Sequence, residues 1–372
     1  MNFLRMHFLL IVLVAMPAWT QTKPAEADRV PAPTKTIQSR DYFLLRNEAM
    51  QLAPDKVQQL LTQAQAGDIH AQIVLGMAYQ LGSGVPMNAT EALKWYHLAF
   101  DQGSSIAATQ IGVYYDPFEH FAGSKGHDPD EALKWYRMAA EHNDAVGQFN
   151  VGALLVQLHR EPEAKDWYVK AVESGSWIGA GDLLMLFKNG KAISGQDKKE
   201  NRRQGLALFQ QLAAQGKPGA EFAMGLIYQE GWFDVPRNYP TALSWFTKAA
   251  EQGMPRAEYF AGVYNFAGKD VPRNQPEGVK WLLKAGDDQE PEAQLKLAFM
   301  YENGDGVQKD AISAYIWYML AAEGGAPGTK FPKNARETME WVHLHHRYTD
   351  AEIQEGQKRL HDWKVEHGLE QP

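Results

Sequence analysis

The chain has 372 residues, a formal net charge of −8 and no cysteine. The mildly acidic balance argues against nucleic acid as the main ligand, and the missing thiols exclude cysteine catalysis, disulfides and thiolate metal sites. An apolar content of 45% is ordinary for a folded protein and argues against a disordered scaffold.

The first twenty residues (1–20) predict a secretory signal peptide. Arg5 supplies a positive start, and the apolar run from Phe8 to Met16 is too short to span about 30 Å of hydrocarbon. A buried N-terminal helix is the alternative. Residues 21–36 are proline-rich and predict a flexible linker. We therefore expect a periplasmic or secreted protein, with no stable membrane insertion after the signal is cleaved.

Residues 37–66 predict an N-terminal capping segment with a helix over 54–66, since Pro54 suits the start of a helix and Gly67 its end. Repeats of about 36 residues then fill 67–324. Their approximate bounds are 67–102, 103–142, 143–174, 175–215, 216–252, 253–288 and 289–324. A fixed period in this range predicts a solenoid, whose usual role is to hold other molecules.

Each repeat combines a small residue, a Leu-Gly-x-x-Tyr stretch, a glycine loop and an Ala-Leu-x-Trp-Tyr stretch. In the first repeat these are Ala71, Leu75, Gly76, Tyr79, Gly82, Gly84, Val85, Ala92, Leu93, Trp95, Tyr96 and Ala99. The loop glycines allow positive φ, which ends the first helix and reverses the chain. Because the tryptophans recur in one position, we predict that they belong to the core and form no binding box.

These motifs resemble the Sel1-like repeat family, a relative of the tetratricopeptide repeat. The resemblance covers the repeats and implies an all-α fold, a right-handed α/α solenoid of about seven hairpins with capping helices at both ends. It also implies adaptor or scaffold roles, including immunity against secreted toxins. Residues 325–372 are expected to form C-terminal capping helices at about 334–346 and 350–366, the second with a capping box from Thr349 to Glu352.

In each repeat, the first helix is predicted to carry apolar residues on the side that points away from the core of its hairpin. Together these residues would form an apolar stripe. With 100° per residue and the core centred on Leu75, Ile73 and Met77 point away from it. By analogy with the tetratricopeptide superhelix, this side lines a concave groove. The candidate protein-binding residues are Ile73, Met77, Phe149, Met185, Phe222, Leu226, Tyr259, Val263, Leu295 and Phe299. Exposed apolar surface marks interaction sites; the alternative is burial by adjacent helices or by the C-terminal cap.

Three adjacent repeats depart from the pattern, and their loops are a second candidate site. The second has a long loop from Asp116 to Asp130, the third has almost no loop, and the fourth carries a basic loop. The candidates on this rim are Phe118, His120, Phe121, Lys198, Lys199, Arg202 and Arg203. Insertions in a solenoid map to one rim and often carry function, while drift in a tolerant loop is the alternative.

The sequence contains no recognisable motif of catalytic residues. There is no nucleophile elbow, no His-Glu-x-x-His and no Walker loop. His343 and His346 share a helix face but lack a third ligand, so they predict surface histidines. We therefore expect no enzyme activity, cofactor or metal. We expect a protein partner, held in an immunity or chaperone-like role; the alternatives are a cell-envelope assembly scaffold and a hydrolase that acts on the cell wall.

Overall fold

The computed structural model describes residues 45–46, 48–50, 52–118, 128–141, 144–268, 270–323 and 348–366. All regular structure within these ranges is α-helical, as predicted for a solenoid of repeats. The chain divides into two compact units, residues 1–197 (unit 1) and 198–372 (unit 2). The predicted signal peptide, linker, helix 334–346 and terminal histidines lie outside the described residues.

Unit 1 is built from helical hairpins. Its helices are α1 (Val57–Gln65), α2 (Ile69–Leu81), α3 (Ala89–Phe100), α4 (Ser105–Tyr115), α5 (Pro129–Glu141), α6 (Ala145–Gln157), α7 (Glu161–Glu173) and α8 (Trp177–Asn189). The first helices α2, α4 and α6 each pack most extensively on the helix that follows. Leu45 and Ala49 join Leu60 and Ala64 of α1 in the core around Leu75, so the flank of the first repeat is covered.

Unit 2 continues with the same type of hairpin. Its helices are α9 (Lys198–Ala214), α10 (Pro218–Glu230), α11 (Tyr239–Glu251), α12 (Pro255–Ala267), α13 (Gln275–Asp287), α14 (Pro291–Asn303), α15 (Ala311–Glu323) and α16 (Asp350–Glu366). The first helices α10, α12 and α14 pair with α11, α13 and α15.

The terminal helix α16 covers α15. The Trp363 ring lies 6.2 Å from that of Trp317, and Lys364 pairs with Glu323 at 2.9 Å. The capping box predicted for this helix is confirmed: the Thr349 backbone N–H donates to a carboxylate oxygen of Glu352 at 2.8 Å, and the Glu352 N–H donates to the Thr349 hydroxyl at 3.3 Å. The last repeat therefore has a packed neighbour on its outer side.

In the three complete hairpins of unit 1, an aromatic ring of the second helix packs against a glycine of the first helix. The pairs are Gly76 with Tyr96, Gly112 with Tyr136, and Gly152 with Tyr168. A Cβ on Gly76 would lie 2.5 Å from Cε1 of Tyr96, closer than two carbon atoms can approach. Only glycine permits this distance between the two helices.

The hydroxyl group of the tyrosine ring also makes a hydrogen bond. Tyr96 donates to Gln80, which lies four residues after the hairpin's glycine. In the third hairpin that position is Val156, which has no acceptor, and Tyr168 donates instead to Asp182 of α8 at 3.2 Å. Burial raises the pKa of Tyr168, with the Asp182 carboxylate acting in the same direction, so the phenol remains a donor. Tyr136 donates to Asp116 at 3.1 Å, so each of the three rings is held both against its glycine and at its hydroxyl group.

The residue two positions before the first helix of a repeat is left-handed at the six described positions, and before α14 this residue is not a glycine. Gly67, Gly103, Gly175, Gly216 and Gly253 occupy it with φ of 92°, 93°, 90°, 72° and 78°. Before α14 the residue is Gln289, with φ of 63°. A side chain in this region costs about 1–2 kcal/mol, so the joint between repeats six and seven is strained.

We expect Gly76→Ala to destabilise unit 1 by about 1–3 kcal/mol, because the new methyl group overlaps the Tyr96 ring. Without that contact, alanine stabilises a helix interior by up to about 1 kcal/mol relative to glycine. Gly181→Ala in α8 is the matched control, since nothing lies within 4 Å of its Cβ. Urea unfolding followed by circular dichroism measures both changes. Stabilisation by both substitutions would contradict the close helix approach.

Gln289→Gly is expected to stabilise unit 2 by about 0.5–1 kcal/mol, because it relieves the left-handed strain. Gly253→Gln, the reverse change at the equivalent position, should destabilise unit 2. Thermal unfolding measures both. A loss of stability in the Gln289→Gly variant would show that the glutamine side chain makes a compensating contact.

Candidate protein-binding surface

In unit 1 the structure buries the beginning of the predicted apolar stripe. Ile73 and Met77 are among the nine buried residues of the thirteen in α2. The prediction that these two residues line an open groove is therefore wrong, since α2 is enclosed by α1, by α3 and by the residues before α1. Farther along, Phe149 and Met185 are half-buried, and the Phe149 ring packs on Tyr168 at 5.9 Å.

Unit 2 leaves more of the stripe accessible. Phe222 is the exception: it is 2% exposed, with ring contacts of 5.6 Å to Phe246 and Phe260, and its prediction as a groove residue is wrong. The other predicted stripe residues of unit 2 are half-buried, except Phe299, which is 46% exposed. The remaining five, here named the unit 2 face, are Leu226, Tyr259, Val263, Leu295 and Phe299.

Stacked aromatic rings support this face. Phe246 of α11 stacks on Phe260 of α12 with ring centroids 4.7 Å apart, and Tyr259 contacts Phe260 edge-on at 5.6 Å. Phe246 has no hydroxyl group, and the acceptor in its hairpin, Gln229, is used instead by Tyr264 of the next repeat at 3.0 Å. Repeats five and six therefore share both a ring stack and a hydrogen bond, which makes the face rigid.

A buried ion cluster lies beside Tyr259. The Nη1 atom of Arg256 is 2.6 Å from a carboxylate oxygen of Glu290 and 2.5 Å from one of Glu292, and the guanidinium lies 5.4 Å from the Tyr259 ring centroid. Burial raises the pKa of Glu290 to about 8; the hydrogen bond to Glu292 acts in the same direction, and the Arg256 charge opposes it. The cluster ties the starts of α12 and α14 together.

A buried polar side chain near the start of a first helix also joins that helix to the one before it. The Gln72 amide donates to the Ala64 carbonyl at 3.0 Å, and the Gln294 amide donates to the Gly286 carbonyl at the same distance. In both cases the acceptor lies eight residues earlier, at the end of the preceding helix. The amide supplies the donor that a buried carbonyl needs.

In α12 the equivalent residue is a carboxylate, Glu258, and the contact between repeats five and six is made differently. Glu258 has no donor when ionised, and Lys284 of α13 donates both to Glu258 and to the Ala250 carbonyl, the latter at 3.5 Å. Burial raises the pKa of Glu258 to about 6, against the hydrogen bond and charge of Lys284. The lysine thus replaces the missing amide at the joint below Tyr259.

The rim candidates separate into two groups. Phe118 is 48% exposed, while His120 and Phe121 lie outside the described residues. The prediction of a basic loop is wrong for Lys198, Lys199, Arg202 and Arg203, which occupy the first turns of α9. Arg203 makes two hydrogen bonds to Glu200, at 2.7 and 2.6 Å, because residues three apart on a helix are neighbours.

The ion cluster is not predicted by the repeat pattern, although the sequence contains a signal for it. Arg256 and Glu292 hold equivalent positions in adjacent repeats, each directly after the proline that opens a first helix. Opposite charges at equivalent positions are well placed to meet across a joint. The described residues contain no group of three or more His, Cys, Asp or Glu side chains suited to a metal ion. Among them, no helix is long and apolar enough to cross a bilayer.

The Sel1 repeat family matches six segments that together cover more than half of the chain. They are residues 69–104, 106–144, 185–217, 218–254, 255–289 and 291–325. The chain belongs to the Sel1 repeat family. The repeat predicted at 143–174 is not among the six, yet α6 and α7 form a hairpin in which Gly152 packs on Tyr168 as in its Sel1 neighbours.

Other Sel1 proteins and relatives resemble this chain. Chitin synthase regulatory factor 3 of Schizosaccharomyces pombe is 26% identical over 300 residues, which are 78% of this chain and 31% of that protein. The chain thus spans about a third of the length of this curated relative. A Sel1 repeat protein from Oxalobacter formigenes is 24% identical with a TM-score of 0.42, covering 88% of this chain and 98% of that one. An immunity protein from Pseudomonas aeruginosa is 16% identical with a TM-score of 0.37, covering 62% and 85%.

Membership in the Sel1 family indicates a protein–protein interaction fold, since these repeats generally form non-catalytic scaffolds. The geometry agrees with this class. The unit 2 face offers apolar contact area on a rigid support, and its charged neighbours Arg256, Glu290 and Glu292 satisfy one another.

We expect Glu258→Gln to stabilise unit 2 by about 1–2 kcal/mol at pH 7.5, because the new amide can donate to the Ala250 carbonyl as Gln72 does to Ala64. The pKa of Glu258 is raised in the folded state, so its stabilising contribution is present below about pH 4.5 and is lost as the pH rises through about 6. The advantage of the variant should therefore vanish near pH 4.5. Urea unfolding between pH 4.5 and 8 measures it.

Glu173→Gln is the control, since Glu173 is exposed on α7 in unit 1. It should leave the pH profile of the wild type unchanged. A constant difference between Glu258→Gln and the wild type across the whole pH range would contradict this account of the joint.

Proposed function

We propose that this protein is an exported Sel1 repeat module that holds one partner protein through the unit 2 face, in an immunity or chaperone-like role. The observation that carries the proposal is Phe299, a large aromatic side chain that is 46% exposed at the end of a row of half-buried apolar residues. Exposed aromatic residues on a rigid support are typical anchors of protein interfaces. The signal-like sequence at residues 1–20 supports export.

The construction of the face supports a dedicated partner. Phe246 and Phe260 are stacked beneath it, and Arg256 ties α12 to α14 beside Tyr259. A surface that is already ordered loses little conformational freedom when it binds, so more of the contact energy remains as affinity. An immunity or chaperone-like role requires a single, tightly held partner, and preorganisation favours this over many weak ones.

The burial of Ile73, Met77 and Phe222 restricts the proposed footprint. The stripe is closed at the start of unit 1, and in unit 2 it is accessible from Leu226 onward. Repeats five to seven are therefore the proposed binding region. The exposed Phe118, in the second repeat, is a separate candidate contact.

A cell-envelope scaffold is the second candidate. The observation in its favour is the similarity, over 78% of this chain, to a protein named as a regulatory factor of chitin synthase. A scaffold for polysaccharide synthesis would bind several components of that machinery. The two functions therefore differ in the number of partners and in their identity.

We expect Phe299→Glu to weaken binding of the main partner by about 30-fold or more, because it places a charge at the proposed anchor. Leu98→Glu is the matched control: Leu98 is 40% exposed on α3 in unit 1 and lies outside the proposed footprint. Both variants and the wild type are used for affinity capture from periplasmic extract and culture medium. The affinity of each captured protein is then measured by calorimetry.

A single dominant partner that is retained by Leu98→Glu and lost by Phe299→Glu would support the proposal. Several envelope-synthesis components would support the scaffold. Equal retention of the main partner by both variants would contradict binding at the unit 2 face and would direct attention to Phe118. Circular dichroism establishes beforehand that both variants are folded.

A further inference from the structure

The joint between repeats six and seven contains more negative than positive groups. Arg256 stands at the start of α12, and Glu290 and Glu292 stand at the start of α14. One nitrogen of Arg256 lies 2.6 and 2.5 Å from the two carboxyl groups. The side chains of Arg256, Glu290 and Glu292 are 18%, 7% and 18% exposed. If both glutamates were ionised, a net negative charge would be nearly buried, which is costly.

Among the described residues, the other charged groups on the helices packed at this joint act on different partners. Lys248 and Glu251 of α11 act on Glu221, and Lys296 of α14 lies over the Phe266 ring. On α13 and at its end, Lys280 pairs with Glu277, Lys284 pairs with Glu258, Asp288 acts on Glu258 and Asp287 acts on Tyr301. On α15, Tyr318 donates to Glu302. Tyr259 of α12 faces the cluster, and burial raises its pKa, so the phenol stays neutral and adds no charge.

We propose that Arg256, Glu290 and Glu292 form a proton-held clasp, in which the two carboxyl groups share one proton while the joint is closed, and loss of this proton loosens α12 from α14. In the closed state the protonated Glu290 donates a hydrogen bond to the Glu292 carboxylate. The proton, the guanidinium and the two carboxyl groups then sum to zero charge. When the proton leaves, two carboxylates face one cation, and their repulsion favours separation of the helices.

The titration of the two glutamates agrees with this arrangement. Burial raises the pKa of Glu290 to about 8. Burial also acts on Glu292, but the hydrogen bond with Glu290 and the charge of Arg256 outweigh it, so the pKa of Glu292 is lowered. One carboxyl group therefore keeps its proton at neutral pH while its neighbour is ionised.

The direction of the pH effect follows from proton binding. With an ordinary pKa of about 4.5 in the open joint and about 8 in the closed joint, the closed form binds one more proton between these values. The closed joint therefore loses stability as the pH rises from about 4.5 to about 8. The pKa of Glu292 is lowered, so its ionised form stabilises the closed joint. This contribution is lost only as the pH falls below about 4.5.

The clasp controls part of the unit 2 face. Tyr259 lies three residues after Arg256 on α12, and Leu295 lies three residues after Glu292 on α14, so each is next to a clasp residue on its helix surface. Loosening of the clasp would change the spacing between these two side chains. The inference does not depend on the proposed function, because its tests require no partner.

The shared proton is tested by carbon-13 NMR of the glutamate carboxyl groups in the full chain. We expect one glutamate signal with a midpoint near pH 8, and we expect that signal to be missing from Glu290→Gln. The glutamine keeps a donor toward Glu292 and an acceptor toward Arg256, so the variant should remain folded. If every glutamate carboxyl titrates below pH 7, no proton is held and the proposal is wrong.

The opening of the joint is tested by hydrogen exchange with mass spectrometry, corrected for the intrinsic pH dependence of exchange. In the wild type, protection of α12 and α14 should fall about tenfold for each pH unit between 6 and 8. In Glu290→Gln it should stay constant. Glu355→Gln, which removes a surface ion pair with Arg359 on α16, should behave like the wild type. The same pH profile in the wild type and in Glu290→Gln would overturn the proposal.

Discussion

The contact between a glycine of one helix and a ring of the next determines how closely the helices of a hairpin approach. At Gly76, Gly112 and Gly152 a tyrosine ring occupies the space where any other residue would place its Cβ. Unit 2 uses the same device, with Phe246 on Gly225 and a leucine on Gly262. Repeats four and seven have Leu184 and Ala298 at this position, so the close approach belongs to the five hairpins that keep the glycine.

Recurrence made the fold predictable, because seven imperfect copies of a motif carry more information than any one copy. The same reasoning could not tell which members of the stripe stay accessible. A helical wheel gives the direction of Ile73 or Phe222 but not what lies in that direction, and for these two residues it is core. Phe222 contacts Phe246 and Phe260, and these ring contacts result from tertiary packing, which the period of the sequence does not show. The start of α9 at Lys198 was missed because a run of lysines and glycines looks like a loop.

The charged groups at the joints could not be predicted for a related reason: they differ from one repeat to the next, whereas the repeat pattern contains only what the repeats share. Gln72 and Gln294 use an amide where Glu258 uses a carboxylate and a lysine from the next helix. The Arg256 cluster occurs once among the described joints, beside the strained Gln289. Unit 2 thus contains joints of differing chemistry within one backbone pattern, and Tyr259 of the unit 2 face lies beside one of them.

The hydrogen bonds that pass from one repeat to the next have a consequence for how such a chain can change its length. Gln229 of repeat five depends on Tyr264 of repeat six, just as Tyr168 of repeat three depends on Asp182 of repeat four. Loss of repeat six by unequal recombination would keep the period but leave Gln229 facing whatever residue the following repeat supplies. Duplication of a single repeat would likewise duplicate only half of each pair. These repeats are therefore inherited most safely as neighbouring pairs, so a gain or loss of two should be tolerated better than a gain or loss of one.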